Sequence, residues 1–443
     1  MNQKGVMEMF DELKTVARRV TGRHALRGLL ADCHRLLSER GEANSVAIAA
    51  DLVARFDGLP DEQRDAFFER LALDFSPDPK VVLKSAQAYV AAPGAQTLVD
   101  LTQAAEPPRQ ELFRRINLAP GGTAALVRMR RAVLERLPKQ PELLALESDL
   151  LHLLSSWFNP GFLQMRRVDW HAPAQLLEQL IRHEAVHEID GWDDLRRRLL
   201  PDRRCFAFFH PQLPDEPLIF VEVALLPEIP VAIAPLIDKK SAAAAPDTFK
   251  VAAFYSISNC QPGLRGVSLG NFLIKRVAEE LKRELPQIKT FCTLSPVPGF
   301  VAWLASNADV LTLPGIQRAM AERAIDARQT LAAACNGEWS RLASKPALEA
   351  LDESARQALL RLCAVYLVYQ TPTPQGDPVA RFHLDNGARL EQLDPMGNLS
   401  RAGLRQSFAL MVNYLYDLKK VETSHESFTR GKVVYSRAVG ALL

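Results

Sequence analysis

The sequence predicts an α+β fold, an all-helical N-terminal part followed by a part in which strands and helices mix. Three observations carry the prediction. From residue 1 to about 155 helix follows helix, each with apolar residues at helical spacing and each closed by proline or glycine. After Trp157, β-branched and aromatic runs such as Val251–Ser258 and Thr290–Leu294 alternate with helical stretches. The 443 residues also exceed what one hydrophobic core ordinarily serves, so two domains are expected, 1–155 and 156–443.

Composition bounds the function. Apolar residues make up 48% and charged residues 24%, ordinary for a soluble globular chain. A net charge of +2 argues against a nucleic-acid binder that works through its overall field. The local clusters Arg128–Arg131 and Arg196–Arg198 read as solvated helix faces. No stretch approaches the ~18 apolar residues of a membrane span, and the first residues lack a signal-peptide core. The six cysteines are scattered without paired spacing, so reduced thiols in a cytoplasmic protein are expected, and no zinc ribbon is visible. The terminal Val439–Leu443 is not a Ser-Lys-Leu peroxisomal address.

In order, helices are expected at Asp61–Leu73, Lys80–Val90, Thr97–Ala105, Gln110–Ile116, Gly122–Leu137 and Leu143–Leu154. The breaks between them fall at Pro93-Gly94, Pro107-Pro108, Pro120–Gly122 and Pro138–Pro141. This part holds no Cys/His cluster, glycine loop or paired carboxylate, so it reads as a scaffold suited to self-association. Beyond Trp157, Pro173–His187 reads as helix, and Cys205–His210 and Leu218–Leu226 as a pair of strands. Phe300–Asn307, Arg318–Cys335 and Pro346–Tyr369 read as helices. Val379–Leu390 reads as a β-hairpin turning at Asn386-Gly387, with Val379, Arg381 and His383 on one strand face. A C-terminal helix, about Arg401–Lys420, would carry Tyr414 and Tyr416.

The stretch Phe249–Phe300 is where chemistry concentrates. The strand Val251–Ser258 leads into a loop from Gly263 to Gly270, then a helix over Asn271–Arg283 with Phe272, Ile274, Val277, Ala278 and Leu281 near one face. A second strand, Thr290–Leu294, ends in a turn carrying Ser295. Glycines that let the backbone come close, feeding a helix N-terminus, present N–H groups and the positive dipole end to phosphate oxygens. Arg265 adds bidentate geometry. The same loop would also serve as a plain strand-to-helix turn that needs glycine.

One motif points elsewhere. His183, Glu184 and His187 spell the H-E-x-x-H pattern of zinc peptidases. That chemistry needs both imidazoles on one helix face and a third ligand from a later element. Gly191 follows at once, and Asp190, Asp193 and Asp194 lie too close in sequence to serve naturally. No metal is expected.

Arg265-Gly-Val-Ser-Leu-Gly270 resembles the Arg/Gln-x-x-Gly-x-Gly/Ala loop with which GNAT-type N-acetyltransferases grip the coenzyme A pyrophosphate, with Ser268 where the middle glycine would be. The longer strings Gly270–Val277, Leu294–Phe300 and Phe382–Ala388, in this order and spacing, resemble the malonyl-CoA decarboxylase family from about Trp157 to about Tyr416, and more weakly before that. The resemblance implies a GNAT-like catalytic domain after a helical domain that mediates self-association. It implies that Arg265, Gly266, Val267, Ser268, Leu269, Gly270 and Asn271 bind the coenzyme A portion of malonyl-CoA. It implies that His383 is the proton donor, Ser295 its partner, and Tyr416 a neighbour. Many members carry an acidic residue at the position of Ser268. No separate cofactor is implied, since coenzyme A enters as part of the substrate. On pattern alone a lone strand histidine such as His383 is usually structural or exposed, and Tyr416 has an alternative reading as a core tyrosine with a satisfied hydroxyl.

Loss of carbon dioxide from a β-carboxy thioester leaves an enolate whose charge the thioester oxygen shares. The protein must align the breaking bond, place donors at the growing oxyanion and deliver a proton. An imidazolium at His383 suits the last task near neutral pH. Ser295 sits in no G-x-S-x-G elbow, so no acyl-enzyme is expected. Two other classes share this loop: a coenzyme A-dependent acyltransferase, and a non-catalytic malonyl-CoA sensor.

Overall fold

The structure, a computed structural model, describes residues 25–38, 44–267, 269 and 273–443. It comprises two compact units. One contains the chain up to Gln164 together with Phe209–Glu216 and Gln261–Leu269; the other contains Met165–Phe208, Pro217–Cys260 and Gly270–Leu443.

The first unit is helical: α1 (residues 25–37), α2 (Ser45–Asp57), α3 (Asp61–Asp74), α4 (Pro79–Ala91), α5 (Ala95–Ala105), α6 (Pro108–Asn117), α7 (Gly122–Arg136) and α8 (Leu144–Trp157). Local chemistry sets the starts. Asp61 and Glu62 meet the positive end of α3, and the Asp78 carboxylate accepts from the Lys80 N–H with Pro79 in the first turn of α4. The core gathers Phe56, Phe67, Phe68, Phe113, Leu126 and Leu150, all buried. Each such side chain contributes about 1.5–3 kcal/mol by leaving water. The α4–α5 hairpin is the exception, because neither helix buries a residue.

The second unit is built on a seven-stranded mixed sheet in the order β1-β2-β3-β4-β5-β7-β6. The strands are β1 (Gln164–Val168), β2 (Arg203–Phe209), β3 (Ile219–Leu226), β4 (Val251–Asn259), β5 (Thr290–Pro296), β6 (Arg389–Asp394) and β7 (Met411–Leu415). β4 and β5 pair in parallel, and α9 (Leu273–Glu284) supplies the crossover that parallel strands require. It buries Ile274, Val277, Ala278 and Leu281 as its spacing predicts, and Leu273 besides; Phe272 lies outside the described residues. Among the described residues no helix is long and apolar enough to cross a membrane.

Four expectations are corrected. Val379–Leu390 is not a hairpin: Pro378–Asp385 forms a helix, α10, and only Arg389–Asp394 is strand. Asp377 Oδ1 accepts from the Val379 and Ala380 N–H groups, and Pro378 occupies the first turn, so a helix start outweighs the Asn386-Gly387 hairpin signal. Arg401–Lys420 is not one helix. Arg401–Ser407 is helical, Phe408 and Ala409 turn the chain with φ of 49° and 60°, and Met411–Leu415 is the strand between β5 and β6. Pro346–Tyr369 breaks at Leu351-Asp352, where the Asp352 side chain caps a new helix, Glu353–Val365. Finally, the arginine clusters are not wholly solvated. Arg128, Arg131 and Arg196 are exposed, but Arg130, Arg197 and Arg198 are buried, each beside a carboxylate: Glu147, Asp202, and both Asp194 and Glu222.

Candidate active site

Ser295 lies inside β5 rather than in the turn after it. Pairing with β7 sets Thr293 opposite Tyr414 and Ser295 opposite Val412. Strand alternation therefore places Thr293, Ser295 and Tyr414 on one face, with Tyr416 just beyond the strand end in the same phase. The helix α10 lays His383 on that face. The imidazole stacks on the Tyr414 ring, centroids 4.7 Å apart and 26° between planes.

Both ring nitrogens are engaged. His383 Nε2 is 2.9 Å from Ser295 Oγ, and His383 Nδ1 is 2.9 Å from Tyr416 Oη. Ser295 Oγ donates to Thr293 Oγ1 at 3.1 Å. One tautomer satisfies the chain: the Tyr416 O–H donates to Nδ1, Nε2–H donates to Ser295 Oγ, and the serine proton goes on to Thr293. In this tautomer Ser295 accepts from the imidazole and does not donate toward it as a nucleophile primed by a base would. All four polar side chains are buried.

That burial sets the charge of the His383 ring in the absence of substrate. The imidazole is pushed down to about 3 by loss of solvent, so it is neutral near pH 7 rather than an imidazolium. Burial likewise pushes the Tyr416 phenol well above its ordinary value, so it remains a donor.

The glycine loop belongs to the other compact unit, where a buried arginine holds it. Arg130 of α7 donates through Nη1 to the Gly263 carbonyl and through Nη2 to the Arg265 carbonyl, both at 2.7 Å, while Glu147 balances its charge at 2.7 Å. Gly266 has φ of +83°, a conformation that favours glycine. Arg265 is exposed, whereas Val267 and Leu269 are buried. Ser268, Gly270 and Asn271 lie outside the described residues.

The H-E-x-x-H segment is not a zincin helix. The helix Ala174–His183 ends at the first histidine, and Glu184 adopts an extended conformation. The Glu184 carboxylate accepts from Ser256 Oγ at 2.6 Å, Ser258 Oγ at 3.1 Å and the His187 N–H at 2.7 Å, so it serves as a local brace. Among the described residues no group of three or more His, Cys, Asp or Glu side chains is placed to hold a metal ion.

Sequence reasoning missed Thr293, Tyr414 and Arg130. Thr293 was readable as the residue in phase with Ser295 along the expected strand, whereas Tyr414 was not, because its segment reads as helix. Arg130 is hidden in the cluster Arg128-Met-Arg-Arg131, and nothing local distinguishes it from the exposed arginines beside it.

Comparison with known proteins adds to this geometry. Residues 161–443 match the malonyl-CoA decarboxylase C-terminal domain model, and residues 75–158 the malonyl-CoA decarboxylase N-terminal domain model. The mitochondrial malonyl-CoA decarboxylase of Mus musculus is 35% identical over 426 residues, covering 89% of this chain and 85% of that one. The crystal structure of malonyl-CoA decarboxylase from Rhodopseudomonas palustris is 47% identical with a TM-score of 0.81, covering 94% of this chain and 98% of that one. The one from Agrobacterium vitis is 46% identical with a TM-score of 0.81, covering 94% and 99%. Matched by both family models in tandem and by relatives along most of its length, this chain belongs to the malonyl-CoA decarboxylase family.

Proposed function

We propose that the protein is a carboxy-lyase that converts malonyl-CoA to acetyl-CoA and carbon dioxide without a separate cofactor. The observation that supports this most is the buried chain Ser295–His383–Tyr416, drawn together from positions 88 and 33 residues apart. Arg265 to Asn271 would grip the coenzyme A phosphates, with the Arg130-held loop carbonyls in support. Residues 156–443 are read as a GNAT-like catalytic domain, supported by the parallel β4–β5 pair joined through α9. Six unpaired, buried cysteines support a reducing, cytoplasmic setting.

The steps balance as follows. The malonyl carboxylate approaches His383, and its charge favours an imidazolium, so the ring takes a proton from solvent. The electron pair of the breaking C–C bond passes to the thioester α-carbon and its carbonyl oxygen as carbon dioxide leaves. Ser295 donates a hydrogen bond to the carboxylate or the thioester oxygen. His383 then gives its proton to the α-carbon and returns to the neutral state, held in orientation by Tyr416.

Incubation with malonyl-CoA alone tests this reading. Acetyl-CoA and carbon dioxide are expected in equal amounts with no acceptor added. Turnover only in the presence of an amine would make the protein an acyltransferase, and binding without turnover would make it a sensor.

We further propose a homo-oligomer assembled through the helical unit. The α4–α5 hairpin supports this, with Leu83 60% and Val90 78% exposed and no buried residue in either helix. Leu83→Glu combined with Val90→Glu is expected to lower the solution mass by sedimentation while leaving the circular dichroism unchanged. An unaltered mass would remove this hairpin from the interface.

A further inference from the structure

Asp377 has two oxygens with separate duties. Oδ1 caps α10 through the Val379 and Ala380 N–H groups, both at 3.0 Å. Oδ2 reaches a different part of the chain, accepting from the Gly299 N–H at 2.9 Å and from the Tyr366 hydroxyl at 3.4 Å. Gly299 follows Ser295 by four residues, and His383 follows Asp377 by six, one and two-thirds helical turns along α10. The carboxylate thus closes a circuit: from Ser295 through the turn to Gly299, across Asp377, along α10 to His383, and back to Ser295 at 2.9 Å.

Little slack exists around this join. Asp377 is fully buried. A Cβ on Gly299 would come 2.2 Å from Tyr366 Oη and 3.3 Å from Asp377 Oδ2, so only glycine lets the turn approach. Phe300 follows at once and packs on Tyr366, ring centroids 5.9 Å apart, which fixes the turn from its other side. An ordinary helix cap needs one oxygen; the second does nothing for α10 itself.

We propose that Asp377 is a positioning residue for decarboxylation, setting the distance between Ser295 and His383 by tying the turn after one to the helix that carries the other. The inference rests on the reading of His383 as the proton donor. A hydrogen bond between two reacting groups tolerates little drift: a displacement of about 1 Å costs on the order of 100-fold in rate.

The test is a double-mutant cycle with Asp377→Asn and His383→Ala, assayed by acetyl-CoA release. Asparagine keeps a capping oxygen for α10 but can present an amide N–H where Gly299 needs an acceptor. Asp377→Asn is expected to lower kcat by about 10- to 100-fold with KM within about twofold. In the His383→Ala background the same change is expected to cost less than about twofold, because the geometry it protects is already gone. An equal loss in both backgrounds, or a kcat within twofold of wild type in Asp377→Asn, would overturn the proposal. Should Asp377→Asn not fold, Asp377→Ser replaces it, since serine caps a helix but falls short of Gly299. Unimpaired turnover in His383→Ala alone would instead overturn the reading of the acid, and that single variant is scored before the cycle is closed.

Discussion

His383→Ala or His383→Asn is expected to slow acetyl-CoA release by roughly 10²–10⁴-fold, the usual worth of a positioned proton donor, while coenzyme A still binds. The free imidazole is neutral, held at about 3 by burial. An opposite charge at about 4 Å contributes about 4 kcal/mol at an effective dielectric of 20, which favours the charged ring. The malonyl carboxylate therefore raises the ring's affinity for a proton above that of the free protein. A group whose pKa is higher in the complex than in the free protein takes up a proton on binding. The linked affinity is fully present below the free protein's value, declines above it, and is lost as pH rises through the complex's value. Calorimetry in buffers of different ionisation enthalpy should find proton uptake on binding an unreactive malonyl-CoA analogue that falls as pH rises, and none in His383→Asn. Normal turnover in either variant would remove His383 from the chemistry; equal proton uptake in wild type and variant would place the titrating group elsewhere.

From α3 onward the helical unit was legible because each helix advertises itself twice, by its periodicity and by the proline or glycine near its end, whereas α1 and α2 were not placed individually. Near the site those signals conflict or vanish. At 377–390 the sequence holds both a helix start, Asp377-Pro378, and a hairpin turn, Asn386-Gly387. The structure honours the first and uses the second only to leave α10, with Gly387 at φ +79°. At 408–409 the chain turns through the left-handed region on phenylalanine and alanine, with no glycine to mark the break. A strand pairing on both sides then reads as the continuation of a helix, because its alternation is masked by burial on both faces.

The candidate site shows the same limit in sharper form. Ser295, His383 and Tyr416 were named through family likeness, since no local pattern ties residues 88 and 33 positions apart. What likeness could not supply is the charge state. An exposed histidine beside a serine and a tyrosine would titrate near neutrality, and only the packing of Tyr414 against the ring and the 4% exposure of His383 make it neutral.

Gly263→Ala is expected to weaken coenzyme A binding by at least about tenfold while sparing the chemistry at saturation. The argument is steric. A Cβ at this position would lie 2.1 Å from the Val127 carbonyl oxygen and 2.9 Å from its carbon, and these are backbone atoms of α7 that cannot rotate away. Overpacking of this kind costs about 1–3 kcal/mol, and the turn Pro262–Leu264 is the cheaper element to move. Moving it also breaks the 2.7 Å bonds by which Arg130 holds the Gly263 and Arg265 carbonyls, and so disperses the loop proposed to bind phosphate. Gly266→Ala is the control: no atom lies closer than 3.9 Å to its added Cβ, and only the φ of +83° opposes it, at about 1–2 kcal/mol. Isothermal titration with coenzyme A should therefore rank wild type, Gly266→Ala and Gly263→Ala in falling affinity, with His383→Ala beside wild type. Wild-type affinity in a folded but less thermostable Gly263→Ala would show that this turn supports the fold alone, and that the phosphates are held by other residues.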